Sequence, residues 1–332
     1  MTTINIQKWV GGSHFEYASV EAPKLKIGER LVKMHVAAVC GSDRHTVSGR
    51  RPGACPSVLG HEGVGTVVMG PDVEKRVVFS VTSVCGQCTN CARGLTAKCE
   101  RVMKVGHESF EGEWPLSGTY ASHIVLPEGV TVVEVPDSVS DEVASIAGCS
   151  VATVMAAVEA VGTIAGRDVF VNGLGMLGLV AVAVAKSRGA SRVFAYDPFE
   201  TRMEQAFLLG AQPIKPGEEV DVSLEFSGSA AGVSSAISVL GIGGTAVLAG
   251  SVAPDGTIDV DPEWMVRGWR TIKGVHNYEP RHLQDAVDFL STVELPWDTL
   301  LSGPIALEDL PEEFAHPHPG LRTLVRITAP SD

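Results

Sequence analysis

The chain has 332 residues, 45% of them apolar and few aromatic, and a formal net charge of −13. That length exceeds one ordinary domain of roughly 100–200 residues and predicts two; the acidic balance argues against a nucleic-acid surface, because phosphate binding needs a basic one. The start, MTTINIQKWVGG, lacks the basic and apolar regions of a signal peptide, and no run reaches the roughly 20 charge-poor apolar residues of a membrane span, so a cytoplasmic protein is expected.

Residues 1–145 read as a β-rich domain. Val32, His35-Val36 and VGTVV at 64–68 are short β-branched segments separated by Gly and Pro, and VEKRVVFSVT at 73–82 is a further strand with a polar entry. Between these strands lies AAVCGSDRHTVSGRRPGACPSVLGHEGVG, which holds Cys40 and the pair His61-Glu62. Thiolate and imidazole are the ligands zinc prefers, and a catalytic zinc needs three protein ligands and one open position. Asp43 is a carboxylate able to orient a ligating imidazole. Ser42 and His45 are placed in sequence to carry a proton away from a reacting oxygen. Each residue alone reads more simply as core or surface; the combination points to a metal centre.

CGQCTNCARGLTAKC follows, with Cys85, Cys88, Cys91 and Cys99. Clustered cysteines in a chain without a signal peptide read as metal before disulfide. Four thiolates close a tetrahedral shell and leave no place for substrate, so a structural zinc is expected, with an iron–sulfur cluster as the alternative. Residues 100–140 return to β character through GTYASHIVLP and VTVVEVP, and His107, Trp114 and Tyr120 are candidates to line a pocket.

At 141–162 the period changes: Val151, Val154, Met155, Val158 and Val161 recur at helical spacing. Cys149, just ahead of this run, reads either as a small buried apolar residue or as a third ligand beside Cys40 and His61.

The second domain opens on the strand RDVFVN (167–172), followed directly by Gly173-Leu174-Gly175-Met176-Leu177-Gly178 and an apolar helix to Gly189. Glycines between strand and helix allow a tight turn and close approach to a pyrophosphate at the helix N-terminus. The next strand, SRVFAYD, ends in Asp197, nineteen residues after Gly178. A carboxylate there bonds an adenosine ribose diol and repels a 2′-phosphate, which selects NAD, although Arg202 is close enough in sequence to partner such a phosphate. Strands at 220–228, 244–250 and 270–276 alternate with helices at 201–209, 229–239 and near 262–267, which predicts a doubly wound parallel sheet. KPGEE after Ile214 is too short for a crossover helix. A helix at 280–292 leads out, and LRTLVRIT (321–328) is a strand expected to rejoin the first domain; His316 and His318, among prolines, are expected in a solvated loop.

CGSDRH, GHEGVG, the four-cysteine lobe, GLGMLG and Asp197 together resemble the zinc-dependent medium-chain alcohol dehydrogenases over essentially the whole chain. The resemblance implies an α/β protein with a GroES-like catalytic domain (1–145), a Rossmann NAD-binding domain (146–280) and a return to the catalytic domain (281–332). It implies two zinc ions per subunit: a catalytic one on Cys40, His61 and Cys149, with Glu62 able to approach the metal, and a structural one on the four-cysteine lobe. Some members carry Glu at the place of Cys149. Ser42 and His45 would form the proton relay, and the site would lie in the cleft between domains. A homo-oligomer, dimer or tetramer, is expected, acting on a small alcohol or aldehyde with NAD. HTVSGRRP, KVGHESF, WPLSGTYASH, AGCSVATVMAA and GVHNYEPRHL look like the alcohol dehydrogenases associated with phosphonate catabolism, which implies a phosphonate-bearing substrate. Arg51, with Lys104 and His107, is the candidate to hold such a head group. The alternatives are an NADPH-dependent quinone or enoyl reductase of the same fold, or a non-catalytic sensor of NAD or zinc.

Overall fold

The structure is a computed structural model, which describes residues 2–318 and 320–327. The chain divides into two compact units, one of residues Met1–Cys149 with Glu279–Asp332, the other of Ser150–Tyr278.

The first unit is built on antiparallel strands. Its central ribbon is Arg30–Val39, a single ten-residue strand where the sequence suggests separate short ones. Glu62–Met69 and Arg322–Arg326 both pair with it antiparallel, with Ala38 opposite Glu62 and Thr323 opposite Val39. That register decides the chemistry of this unit. It brings Cys40, at the exit of one strand, beside His61-Glu62, at the entry of the second, and beside Arg322, at the start of the third. Arg76–Ser83, His123–Leu126 and Val130–Glu134 complete the layer, and Val32, Met34, Phe79, Ile124 and Leu126 interlock beneath it with almost no exposure. No strand is predicted before Val32, yet Thr3–Gly11 and His14–Glu21 form a hairpin at the start of the chain. The predicted strand at 321–328 ends at Arg326; Thr328 lies outside the described residues.

The second unit is a six-stranded parallel sheet in the order Gln212–Pro213, Arg192–Tyr196, Asp168–Asn172, Val220–Glu225, Leu240–Leu248, Thr271–Gly274. The order reverses direction beside Asp168–Asn172, and in such sheets the ligand crevice lies at that reversal, outside the carboxyl ends of the strands. Helices Met176–Ser187, Glu200–Leu208, Ala230–Ser238 and Pro262–Gly268 connect the strands. Helix Met176–Ser187 is buried over nearly its whole length, as its unbroken apolar sequence requires. The stretch after Ile214 carries no helix.

The helical run at 141–162 is not one regular helix. Asp141–Ala144 and Ala152–Val161 are α-helical, and Ala147–Val151 between them is a turn of π-helix that contains Cys149. Asp141–Val161 is long and apolar enough by length and composition to cross a membrane, contrary to the reading that no run qualifies. Most of it is buried inside the protein, which accounts for its composition as a core element.

Candidate active site and cofactor loop

Cys40 ends its strand and stands at the N-cap of the short helix Gly41–Val47. Its backbone N–H donates to Asp43 Oδ2 over 3.0 Å, so the Cys-x-x-Asp spacing folds back on itself. The other oxygen, Asp43 Oδ1, lies 3.2 Å from His61 Nδ1, which leaves Nε2 as the ring nitrogen that faces the other donors. Tyr120 Oη donates to Asp43 Oδ2 at 2.9 Å, so this tyrosine braces the site from beneath. Asp43 and Tyr120 are fully buried, and His61 nearly so. The donor atoms of Cys40, His61 and Cys149 lie within 4.8 Å of one another.

Cys149 reaches this cluster because of the π turn. The turn widens the helix by one residue, a device that recurs at functional sites. Gly148 fits there because any Cβ would press on the Phe79 carbonyl oxygen. Periodicity conceals this, since a π turn leaves the apolar spacing on either side intact.

The electrostatics suit a divalent cation. Cys149 hydrogen-bonds to Cys40 and draws its thiol well below the ordinary value against the cost of burial, with Arg322 and His61 adding to the pull; Cys149 is pushed up in turn. Burial disfavours charge on His61, but Asp43 and Cys40 outweigh it and raise the imidazole well above its usual value. A buried thiolate, a second thiol and an imidazole that attracts positive charge are the donors that bind zinc, with protons displaced on binding.

Glu62 is not one of the three clustered donors. Expected as a nearby carboxylate able to approach the metal, it is fully buried beside His61 and accepts from Arg322 Nε at 2.8 Å. Arg322 Nη2 lies 3.4 Å from Cys40 Sγ. Arg322 is therefore part of the site, and nothing in the strand LRTLVRIT marks it. Helix Gly41–Val47 is tied to the same C-terminal segment, because Arg44 pairs with the buried carboxylate of Glu313, which also accepts from Thr323 Oγ1 at 2.6 Å. His318 bonds Glu313 as well and is exposed in its loop, as is His316.

Ser42 Oγ lies 3.2 Å from His61 Nε2. His45 is one helical turn further on and half-buried; burial, then the neighbouring Arg50, holds it below the ordinary histidine value. His107 stacks obliquely on His61 with ring centroids 5.4 Å apart. Burial, then His61, pushes His107 down to about 3, so it is a neutral member of its group and not a cation. Trp114 lines a separate cavity of about 590 Å³ with Val20, Ile27 and Phe110, which contains none of the clustered ligands.

The four cysteines Cys85, Cys88, Cys91 and Cys99 also gather their sulfurs within 4.8 Å. The closest pairs are 3.4 Å apart, far beyond a disulfide bond, and all seven cysteines of the chain are free thiols. Backbone N–H groups of Cys85 and Arg101 point at Cys99 Sγ, each over 3.3 Å, as thiolate ligands require. A backbone bond from Gln87 lowers Cys85 to about 6, while burial lifts Cys91 to about 12; a set with both extremes becomes uniformly thiolate only when a cation joins it. Glu279 clamps this lobe, accepting from Thr96 N at 3.1 Å and Thr96 Oγ1 at 2.6 Å.

In the second unit, Gly173 has φ +85°, and a Cβ there would strike the backbone of Ser227. A Cβ on Gly178 would overlap the Gly173 carbonyl oxygen. Gly175, the N-cap of the helix that Met176 and Leu177 open, faces open space. First and third glycines thus serve the turn and its packing, and the middle one leaves the cradle a pyrophosphate needs. Asp197 is buried; its Oδ2 accepts from Leu174 N at 2.7 Å and its Oδ1 from Phe199 N at 3.0 Å. Arg202 Nη1 lies 3.4 Å from Asp197 Oδ2, and its guanidinium covers the Phe199 ring.

A parallel sheet with this glycine loop, together with a largely buried Cys₂His donor set and a closed four-thiolate lobe, defines a zinc-binding, dinucleotide-dependent dehydrogenase. Two family models match, the alcohol dehydrogenase GroES-like domain over residues 26–137 and the zinc-binding dehydrogenase over residues 177–292. An L-threonine 3-dehydrogenase of Vibrio parahaemolyticus is 30% identical over 288 residues, covering 78% of this chain and 80% of that protein. Among solved structures, an alcohol dehydrogenase of Thermotoga maritima shares the fold with a TM-score of 0.91 at 24% identity, over 98% of this chain and 100% of that one. The alcohol dehydrogenase TADH from Thermus sp. ATN1 gives 0.86 at 26% identity, over 98% and 100%. The chain belongs to the zinc-dependent medium-chain alcohol dehydrogenase family and is an oxidoreductase of that type.

Proposed function

We propose that the protein interconverts a small alcohol and its aldehyde or ketone, using NAD and a zinc ion held by Cys40, His61 and Cys149. The observation that carries this reading is the cluster of those three donors, with Cys40 and His61 buried and Ser42 Oγ against His61. Zinc supplies Lewis acidity at the alcohol oxygen, and NAD supplies the hydride acceptor. The chain's own residues do the rest. Asp43 fixes the His61 ring through Nδ1, and Tyr120 fixes Asp43. Ser42 Oγ is the acceptor for the hydroxyl proton, and His45, its pKa lowered by burial, takes it onward to solvent. Arg322 pairs with Glu62, and Cys40, His61 and Cys149 are the residues that would hold the zinc. Gly173, Gly175 and Gly178 with the N–H groups of Met176 and Leu177 receive the pyrophosphate, and Asp197 the ribose. The four-cysteine lobe holds a second, structural zinc. A spectrophotometric screen of alcohols with NAD⁺ tests the reading; absence of turnover with every alcohol in zinc-loaded protein would end it.

Two further outcomes follow. Cys85→Ser should remove one of two zinc equivalents on metal analysis and lower the melting temperature, while the Cys40 site stays loaded. Asp197→Ala should weaken NAD⁺ binding by about 1.5–3 kcal/mol, the range for a hydrogen bond to a charged group, and narrow the preference over NADP⁺. Titration of both coenzymes checks this, and a wild type that prefers NADP⁺ would place Arg202 rather than Asp197 in control.

A further inference from the structure

The strands Asp168–Asn172, Val220–Glu225 and Leu240–Leu248 are neighbours in the parallel sheet, and their last residues stand in register, Asn172 opposite Glu225 and Glu225 opposite Leu248. All three therefore turn away at one level, at the carboxyl ends where the strand order reverses. Glu225 is an unusual residue for that place, because it is an acid with no exposure at all. One oxygen, Oε1, accepts from Ser227 N at 2.6 Å, from Gly228 N at 3.0 Å and from the Ser227 hydroxyl. The other, Oε2, is buried and has no hydrogen-bond partner among the described residues. A buried oxygen left without a partner costs stability, and its retention calls for a reason. Burial pushes the Glu225 carboxyl above the ordinary carboxylate range, against the pull of the Ser227 and Gly228 donors.

The reason lies in the turn that this carboxyl closes. Ser227 backs directly onto the glycine loop: a Cβ on Gly173 would come within 2.4 Å of Ser227 N. Gly228, at φ +71°, meets the Gly250 carbonyl oxygen, which a Cβ would approach to 2.5 Å. Phe226 N donates to the Asn172 carbonyl over 2.8 Å, and Ala249 N and Gly250 N both donate to the Glu225 carbonyl over 3.0 Å. Three loops thus meet with almost no side-chain bulk between them, and the Glu225 carboxyl ties the middle one back to its own strand. Asp197 follows the strand on one side of Asp168–Asn172, and Glu225 ends the strand on the other. A dinucleotide with its adenosine ribose at Asp197 and its pyrophosphate at Gly175 extends its other half past Ser227 and Gly228.

We propose that Glu225 is a positioning residue for the coenzyme: its carboxyl sets the Ser227–Gly228 turn as the wall against which the nicotinamide half of NAD lies. This deepens the function proposed above and rests on its dinucleotide reading. Glu225 is too deeply buried to touch the coenzyme and acts through the backbone of the turn. Without the carboxyl, the N–H groups of Ser227 and Gly228 lose their acceptor, and the turn relaxes into the space beside the glycine loop.

The test is calorimetric titration of NADH and of AMP into the zinc-loaded full chain, in wild type, Glu225→Leu, Glu225→Gln and Ser227→Ala. AMP samples the adenosine side alone. Glu225→Leu fills the same space without an acceptor and should raise the NADH Kd about tenfold or more, with the AMP Kd held within about twofold. Glu225→Gln keeps an oxygen for the same donors and should restore most of the NADH affinity. Ser227→Ala removes one donor and should give a smaller rise, again without effect on AMP. Unchanged NADH affinity in Glu225→Leu would overturn the proposal, and so would equal losses for NADH and AMP, which would make Glu225 a support of the whole unit. If Glu225→Leu does not fold, Ser227→Ala decides: a rise confined to NADH sustains the proposal, and no rise refutes it. Wild-type protein that binds neither ligand would end the dinucleotide reading as well, whereas failure in the variants alone ends only this inference.

Discussion

Replacing His61 by Ala should lower kcat by about 10³-fold or more and remove one zinc equivalent, with the fold retained. A metal acting as Lewis acid contributes several kcal/mol to the reaction, and each 1.4 kcal/mol or so is a factor of ten in rate. His61 supplies the only nitrogen in the donor set, and its ring is already aimed by Asp43 at 3.2 Å. Two thiols alone make a weak and misshapen zinc site. The four-cysteine lobe shares none of these residues, so metal analysis should still find its zinc. Steady-state kinetics and metal content on the same preparation give the answer. A His61→Ala protein that keeps turnover within tenfold of wild type would show that the cluster is not where the reaction occurs.

The second large effect is structural and sits at Arg322. Arg322→Met should destabilise the first unit by about 3–5 kcal/mol, the cost of leaving one member of a buried ion pair without its partner. Glu62 is fully buried and Arg322 6% exposed, so neither recovers hydration when the other is lost. Burial disfavours charge on Arg322, yet Cys40 and Glu62 raise its pKa above the ordinary guanidinium value, which leaves a permanent cation at the pair. The double variant Glu62→Gln/Arg322→Met removes both charges and should regain much of the loss, because the penalty belongs to the orphaned carboxylate and not to the missing arginine. Denaturant unfolding of zinc-loaded protein measures all three. Equal destabilisation of single and double variants would refute the pairing argument.

Several features of this protein are legible in the linear chain because their physics is local. Three cysteines two residues apart and a fourth close behind can gather four sulfurs within one loop. A strand, three spaced glycines and an apolar helix build a phosphate cradle from neighbouring residues. Asp43 reaches the Cys40 backbone across three residues of one helix start. Strand–helix alternation after residue 166 specifies a parallel sheet, because only that arrangement buries both faces.

What tertiary structure alone decides is the company each of these groups keeps. Arg322 lies 260 residues from Glu62 and 282 from Cys40 in sequence, and only antiparallel pairing of Arg322–Arg326 with Arg30–Val39 makes them neighbours. The pairing of Glu62 with that arginine is not visible in the linear chain. The π turn is equally silent, since it preserves the apolar spacing of 141–162 while turning Cys149 toward Cys40. Composition and period depend on residues close along the chain. Charge pairing inside a protein depends on distance in space and on exclusion of water, and those are set only when the strands have found their register.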